Sequence, residues 1–212
     1  MSRTLQRSRH VPASTGNAML ETRRRHYKAI VIGISAGGMG TLKALLGALP
    51  KDFPLPILIV QHLCPDSGDA MALFLDELCA IHVKEADEEE QPTGGRVYLA
   101  PANYHLMVEP DGRLGLSADP PVNFSRPSAD VLFETAAEAF GERLIGVVLT
   151  GAGIDGSCGL KRIKDKGGVA VVQTPDDAAV DSMPRHAMAA VPPDYVVTLS
   201  TLPQLFINLS EK

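Results

Sequence analysis

The fold is decided by the stretch Lys28-Ala29-Ile30-Val31-Ile32-Gly33-Ile34-Ser35-Ala36-Gly37-Gly38. Its apolar first half is rich in β-branched residues and predicts a buried strand that ends at Gly33. A helical pattern follows over residues 39–49. The turn between them fits G-x-S-x-G, the pattern of a nucleophile elbow, which requires this strand–turn–helix context. Because small neighbours leave the Ser35 hydroxyl exposed, the turn predicts a nucleophilic serine.

Apolar runs and helical patterns alternate along the rest of the chain. Predicted strands are residues 57–60, 81–83, 96–100, 104–109, 114–117, 144–149 and 169–173. Predicted helices are residues 68–78, 128–140, 158–166 and 202–209, with a further helical segment beginning at Met183-Pro184. The alternation predicts an α/β fold with a doubly wound, mostly parallel sheet and helices on both faces. Asp111-Gly112 is a hairpin signal and predicts an antiparallel hairpin inserted around residues 96–117.

Composition predicts one folded domain, residues 27–212, behind a basic tail. Residues 1–26 hold six Arg and one acid, and we expect this segment to be disordered. The remainder carries a net charge of −10, which argues against nucleic acid as the main partner. No apolar run approaches the ~20 residues of a membrane span, so we expect no membrane insertion. The three scattered cysteines indicate a reducing compartment, the cytoplasm.

Three polar residues follow predicted strands of the sheet. Ser35 follows the first strand, His62 follows the strand at 57–60, and Asp155 follows the strand at 144–149 through a glycine-rich turn. Since ligand sites of open α/β sheets lie beyond the carboxyl ends of the strands, we expect the three to converge. They would then act as nucleophile, general base and orienting acid. An ordinary imidazole takes up a proton near pH ~6.5, so a histidine base predicts falling activity below that pH.

Each of these residues also has an ordinary structural interpretation. A glycine-flanked serine after a strand is typical of phosphate loops, although G-x-G-x-x-G spacing and a P-loop lysine are lacking. A lone histidine such as His62 is more often structural than catalytic, and Asp155 fits a helix cap equally well. A metal site built from His62, Cys64 and Asp66 is a weaker alternative, because no second ligand cluster accompanies it.

Six motifs occur in order along the chain, and together they resemble one known family. They lie at residues 32–38, 60–63, 99–105, 126–133, 149–156 and 183–185. The set is similar to the catalytic domain of the chemotaxis protein-glutamate methylesterases, the CheB type, over about residues 27–208. The resemblance implies hydrolysis of γ-glutamyl methyl esters on the cytoplasmic helices of methylated chemoreceptors, with release of methanol. It also implies that receptor glutamines are further substrates for deamidation.

The resemblance assigns a role to each site residue. It implies Ser35 as nucleophile, His62 as base and Asp155 as orienting acid, with no metal and no cofactor. The oxyanion would be bound by the backbone N–H of Ala152 and by one beside the nucleophile, at Ala36. The pocket residues implied are Gly37, Gly151, Gly153 and Met183.

The chain departs from the family at three places. Ala152 stands where the family commonly has Met, and Ala36 stands where the nucleophile is often followed by Thr. Family members usually carry a receiver domain, whereas only about 26 residues precede the first strand here. We therefore expect a stand-alone enzyme that is constitutively open or controlled by a regulatory partner. The alternative is a non-catalytic module that keeps the fold and binds receptor or kinase helices.

Overall fold

The computed structural model describes residues 26–62 and 66–211. The predicted disordered tail lies outside the described residues except for His26, and Cys64 of the alternative metal site lies outside them as well.

The helices and strands follow the predicted order. The strands are β1 Ala29–Ile34, β2 Ile57–Gln61, β3 His82–Glu85, β4 Arg96–Leu99, β5 His105–Val108, β6 Leu114–Ser117, β7 Leu144–Val148, β8 Val169–Gln173 and β9 Tyr195–Val197. The helices are α1 Gly38–Gly47, α2 Ala70–Leu78, α3 Ala129–Phe140, α4 Ser157–Asp165, α5 Ser182–Ala190 and α6 Leu202–Ser210, with 3-10 turns at Gly141–Arg143 and Pro175–Asp177. Only β9 has no counterpart in the prediction, because three half-exposed residues make too weak a pattern.

The main sheet has seven strands in the order β3-β4-β2-β1-β7-β8-β9, and every pairing in it is parallel. The predicted α/β fold class is thereby confirmed. The antiparallel hairpin consists of β5 and β6 in a separate two-stranded sheet. It begins at His105 rather than near residue 96, because β4 pairs in parallel with β2 and β3 inside the main sheet.

Side chains of the central strand alternate between two apolar cores. Ile30, Ile32 and Ile34 of β1 face a core completed by α1, α2 and α6. Ala29 and Val31 face the other core, which is completed by α3, α4, α5 and the hairpin. Since the side chains of a strand point alternately to its two faces, an apolar residue at every position is what a sheet covered on both sides requires.

Helix α3 lies unusually close to β1. A Cβ atom on Gly33 would lie 2.7 Å from the Cβ of Ala129, the first residue of α3. A Cβ on Gly156 would lie 3.4 Å from the same atom. The two glycines therefore allow the N-terminus of α3 to reach the carboxyl edge of the sheet, where its amides can bind an acid.

Candidate active site

The three predicted residues lie at the carboxyl ends of three adjacent strands. β1 lies between β2 and β7 in the sheet. Ser35 directly follows β1, His62 directly follows β2, and Asp155 lies in the turn between β7 and α4. Strands β2, β4 and β3 lie on one side of β1, and β7, β8 and β9 lie on the other. Doubly wound folds bind their ligands at the point where the strand order reverses in this way.

The backbone around Ser35 is held by the neighbouring strand turn. The Ser35 N–H donates to the Thr150 carbonyl at 3.0 Å, and the Thr150 hydroxyl donates to the Ala36 carbonyl at 2.9 Å. The Gly38 N–H donates back to the Ser35 carbonyl at 2.9 Å. Gly37 has a φ of +82°, a left-handed conformation that favours glycine. The elbow is therefore tied both to the strand beside it and to its own helix.

Gln61 joins the backbones of the predicted nucleophile and base. Its side-chain Nε2 donates to the carbonyl of Ser35 and to the carbonyl of His62, each at 3.0 Å. The side chain is buried, and a Cβ on Gly38 would lie 1.7 Å from its Oε1, so only glycine leaves room for it. Gln61 therefore fixes the relative position of the two carboxyl ends from which Ser35 and His62 project.

His62 and Asp155 form a hydrogen-bonded pair. His62 Nε2 lies 2.8 Å from Asp155 Oδ2, and the side chains are 17% and 3% exposed, respectively. A carboxylate only accepts hydrogen bonds, so in the neutral imidazole Nε2 carries the proton and Nδ1 is left as the acceptor. Nδ1 is the nitrogen with which His62 can take a proton from a hydroxyl.

The Asp155 carboxylate accepts four more hydrogen bonds beyond the one from His62. They come from Asn123 Nδ2 at 3.0 Å, Ser128 Oγ at 2.7 Å, the Ala129 N–H at 2.6 Å and the Asp130 N–H at 3.1 Å. Burial by itself raises the pKa of Asp155, but the bonds from His62, Asn123, Ser128 and Ala129 outweigh it and lower the pKa from 3.8 to about 2. Asp155 is therefore a charged acid at neutral pH. It also takes the place of a cap on α3, since two of its donors are first-turn amides.

A second buried carboxylate, Asp130, lies beside this acid. Asn123 Nδ2 bridges the two, because it donates to Asp130 Oδ2 at 2.8 Å as well as to Asp155. Asp130 also accepts the Gly159 N–H at 2.7 Å. Burial raises the pKa of Asp130, and the charge of Asp155 raises it further, while the Gly159 and Asn123 bonds act in the opposite direction. Asn123 is thus a shared donor that offsets the repulsion between the two acids.

A cavity of about 460 Å³ opens over the elbow. It is lined by Ser35, Ala36, Gly37, Gly38, Met39, Gly40, Gln61, His62 and Met71. Ser35 and His62 therefore face the same open space, while Asp155 lies behind His62 and away from solvent. The imidazole therefore lies between the cavity and the carboxylate.

Of the other predicted residues, Ala36 and Gly37 line the cavity, whereas Gly151, Ala152, Gly153 and Met183 lie outside its lining. Among the residues the structure describes, neither the Ala36 N–H nor the Ala152 N–H donates to another group. Met183 is fully buried, and its N–H donates to the Gly151 carbonyl at 2.9 Å. This bond holds the Gly151 backbone in position. Gly153 has a φ of +95° in the turn that leads to Asp155.

Gly151 has no room for a side chain. A Cβ there would lie 2.1 Å from Met183 Sδ and 2.8 Å from Ser35 Cβ. We expect Gly151→Ala to lower the free energy of unfolding by about 1–3 kcal/mol through overpacking, measured by urea denaturation. The matched control is Gly47→Ala, since a Cβ on that helical glycine meets nothing within 4 Å. Gly47→Ala should keep or raise the free energy of unfolding, because alanine restricts the unfolded chain. A Gly151→Ala variant as stable as this control would show that the contact with Met183 does not govern the position.

The alternative chemistries find less support around the site. No group of three or more His, Cys, Asp or Glu within residues 26–62 and 66–211 is placed to hold a metal. Cys158 lies in the first turn of α4. The pKa of its thiol is raised by the charge of Asp130, by burial, and by the charges of Glu134 and Asp155. A thiol that stays protonated is a poor nucleophile. In the described part of the chain, no helix has the length and apolar character that crossing a membrane demands.

Sequence reasoning missed three residues of this site. Gln61, Asn123 and Thr150 hold the three predicted residues in place, yet their spacing carries no periodic signal. Ser128 was expected only to open a helix, and its hydroxyl donates to Asp155. Its backbone N–H in turn donates to Nδ1 of the buried His105, at 3.2 Å. The one available signal was that Gln61, Ser128 and Thr150 adjoin a predicted strand end or helix start, whereas Asn123 carried none.

This class of α/β domain, with a Ser, a His and an Asp at adjacent strand ends, matches a known family. The family model for the CheB methylesterase matches residues 30–206. The crystal structure of the CheB methylesterase catalytic domain of Thermotoga maritima superposes with a TM-score of 0.82 at 34% identity, covering 86% of this chain and 98% of that one. The chain therefore belongs to the CheB methylesterase family.

Similar proteins include relatives of two lengths. A Leptospira interrogans protein, provisionally named protein-glutamate methylesterase/protein-glutamine glutaminase, is 50% identical over 186 residues, which are 88% of this chain and 96% of that protein. The protein-glutamate methylesterase FrzG of Myxococcus xanthus is 39% identical over 176 residues, which are 83% of this chain and 53% of FrzG. The chain thus spans nearly all of one relative and about half of the other.

Proposed function

We propose that this chain is a serine hydrolase that cleaves γ-glutamyl methyl esters on chemoreceptor proteins and releases methanol. The observation that carries the proposal is the 2.8 Å bond between His62 and a charged, buried Asp155, beside a cavity that Ser35 also lines. The hydrogen bonds on Asp155 keep it charged in a buried position, and a fixed negative charge beside the imidazole stabilises the imidazolium that forms when His62 takes a proton.

The proposed reaction consists of acylation of Ser35 and hydrolysis of the acyl-enzyme, and His62 carries the proton in both steps. Ser35 Oγ attacks the ester carbonyl while His62 Nδ1 takes its proton, and Asp155 stabilises the imidazolium. The tetrahedral oxyanion is bound by the free N–H groups of Ala36 and Ala152. The C–O bond to the methoxy group then breaks, and His62 gives its proton to the departing methanol. Water, activated by the same imidazole, hydrolyses the glutamyl ester left on Ser35 and restores the free enzyme.

The substrate is proposed from the family and from the shape of the site. The relatives are named as enzymes acting on glutamate and glutamine of proteins, and an open cavity suits a side chain carried by a larger surface. Glutamine deamidation would follow the same acyl chemistry with ammonia as the leaving group. Reaction on cytoplasmic receptor helices agrees with the reducing compartment expected from the cysteines.

The test combines turnover with covalent labelling. We expect the full chain to release methanol from membranes that carry methylated chemoreceptors. A fluorophosphonate should label it once, at Ser35, as located by mass spectrometry of the digested protein. The matched control is Ser182, a half-buried serine whose hydroxyl donates to the Gly153 carbonyl, which should remain unlabelled.

Two results would contradict the proposal. Binding of the receptor without methanol release and without labelling would instead identify a non-catalytic binding module. Labelling at a cysteine or at a serine other than Ser35 would assign the nucleophile elsewhere.

A further inference from the structure

The turn at residues 122–125 places two neighbouring side chains in opposite environments. Val122 and Ser125 exchange backbone hydrogen bonds, 3.1 Å and 2.9 Å long, which close the turn around Asn123 and Phe124. Asn123 points inward and donates to Asp155 and Asp130. Phe124 points outward and is 104% exposed, so it gains no packing from residues 26–62 and 66–211.

The backbone conformation and the solvent exposure at position 124 both disfavour a phenylalanine. Its φ is +63° and that of Asn123 is +52°, so both central residues are left-handed. Two-residue turns of this conformation favour Asn followed by Gly, because glycine has no side chain to strain. The first position follows that preference and the second does not. A bulky residue there costs backbone strain, and a fully exposed ring adds the cost of apolar hydration.

The turn adjoins the reacting groups. The Asn123 amide is 3.0 Å from Asp155, so Phe124 lies one residue from a direct contact of the proposed triad. Two further exposed apolar side chains, on separate elements, border the same site. Met39 lines the cavity with Ser35 and His62, and Ile154 directly precedes Asp155. Three exposed apolar side chains therefore lie on segments that line the cavity or hold Asp155, where a protein presenting its glutamyl ester to Ser35 can contact them.

We propose that Phe124 is a docking residue for the protein substrate and sets the preference of the site for esters carried on a protein over small esters. The inference rests on the proposed function. The strain and the exposure of the ring are offset when the apolar side of a substrate helix covers it. Aromatic side chains, Phe among them, are enriched at protein–protein interfaces relative to the rest of the surface.

The test compares two substrates on one variant. Phe124→Gly should lower kcat/KM for methanol release from methylated receptors by about five- to tenfold, mainly through KM. For p-nitrophenyl acetate, which offers no protein surface for the ring to contact, we expect kcat/KM within about twofold of the wild type. The thermal midpoint should stay level or rise, because glycine relieves the strained φ. Phe124→Leu should keep most of the receptor activity, and Val196→Ala, at an exposed residue on the far edge strand β9, should keep all of it.

Three outcomes would overturn the proposal. Unchanged kinetics on the receptor would show that the ring contacts no substrate. Equal losses on both substrates would show that the turn acts only through Asn123 and Asp155. Conversion of a dimer into a monomer by Phe124→Gly, seen by sedimentation, would assign the ring to a second copy of this chain. A wild type inert on both substrates would refute the proposed function itself, whereas failure of the docking role appears only in the variant.

Discussion

Replacing Ser35 by Ala should reduce kcat for methanol release by about 10⁶-fold, since removing the nucleophile of a serine hydrolase costs about that much. The fold should be unaffected, because the hydrogen bonds that hold the elbow involve the backbone of Ser35 and not its hydroxyl. The measurement is methanol release from methylated receptors under saturating substrate, with circular dichroism and thermal unfolding as the check on structure.

The matched control is Ser157→Ala at the start of α4. The Ser157 hydroxyl is buried and has no hydrogen-bond partner among the described residues, so its loss should leave turnover unchanged and stability level or slightly higher. Turnover by Ser35→Ala at more than about a thousandth of the wild-type rate would rule out Ser35 as the nucleophile.

Replacing Asp155 by Asn should reduce kcat by about 10⁴-fold. The amide keeps the size of the carboxylate but carries no charge to stabilise the His62 imidazolium, and it no longer fixes the proton on Nε2. The same change should lower the free energy of unfolding by about 2–4 kcal/mol, because several of the five donors around Asp155 lose a charged acceptor.

The control for this change is the neighbouring buried acid. Asp130→Asn removes a carboxylate that accepts from Gly159 and Asn123 and makes no contact with His62. We expect a smaller loss of stability, because burial and the charge of Asp155 already disfavour the charged form of Asp130, and a loss of kcat of no more than about tenfold. Equal losses of kcat in the two variants would mean that the charge of Asp155 has no special part in catalysis.

The pKa of Asp155 also predicts how stability depends on pH. The pKa is about 2 in the folded chain against 3.8 for an ordinary aspartate, so between these values the unfolded state binds more protons. Stability from this group is therefore complete above about pH 4 and lost as the pH falls through about 2, a contribution of about 2 kcal/mol. Urea denaturation at pH 6 and pH 2.5 should show that the wild type and Asp155→Asn differ less in free energy of unfolding at the lower pH. A constant difference would contradict the lowered pKa.

Local sequence patterns predicted most of the fold because the strands of a sheet covered on both sides are continuous apolar runs. The runs that became β1, β2 and β7 each end at a glycine or a polar residue, so both the strand and its carboxyl end were visible in the sequence. Placing Ser35, His62 and Asp155 together then needed only the rule that the ends of parallel strands meet at one edge. The parallel pairing of β4 with β2 could not be predicted in this way. Parallel strands are joined by long connections, so no turn between them marks the pair in the sequence.

The sequence by itself determined the strand–turn–helix elbow, the alternation of strands and helices, and the candidate nucleophile, base and acid. These depend on residues close together in the chain, whose periodicity and turn chemistry are local. Only the tertiary structure decided how the acid is held. Asn123, Ser128 and the first amides of α3 converge on Asp155 from another part of the chain, because Gly33 and Gly156 let that helix approach the sheet. A contact of this kind has no pattern of its own in the sequence, since it arises when two separate elements pack together.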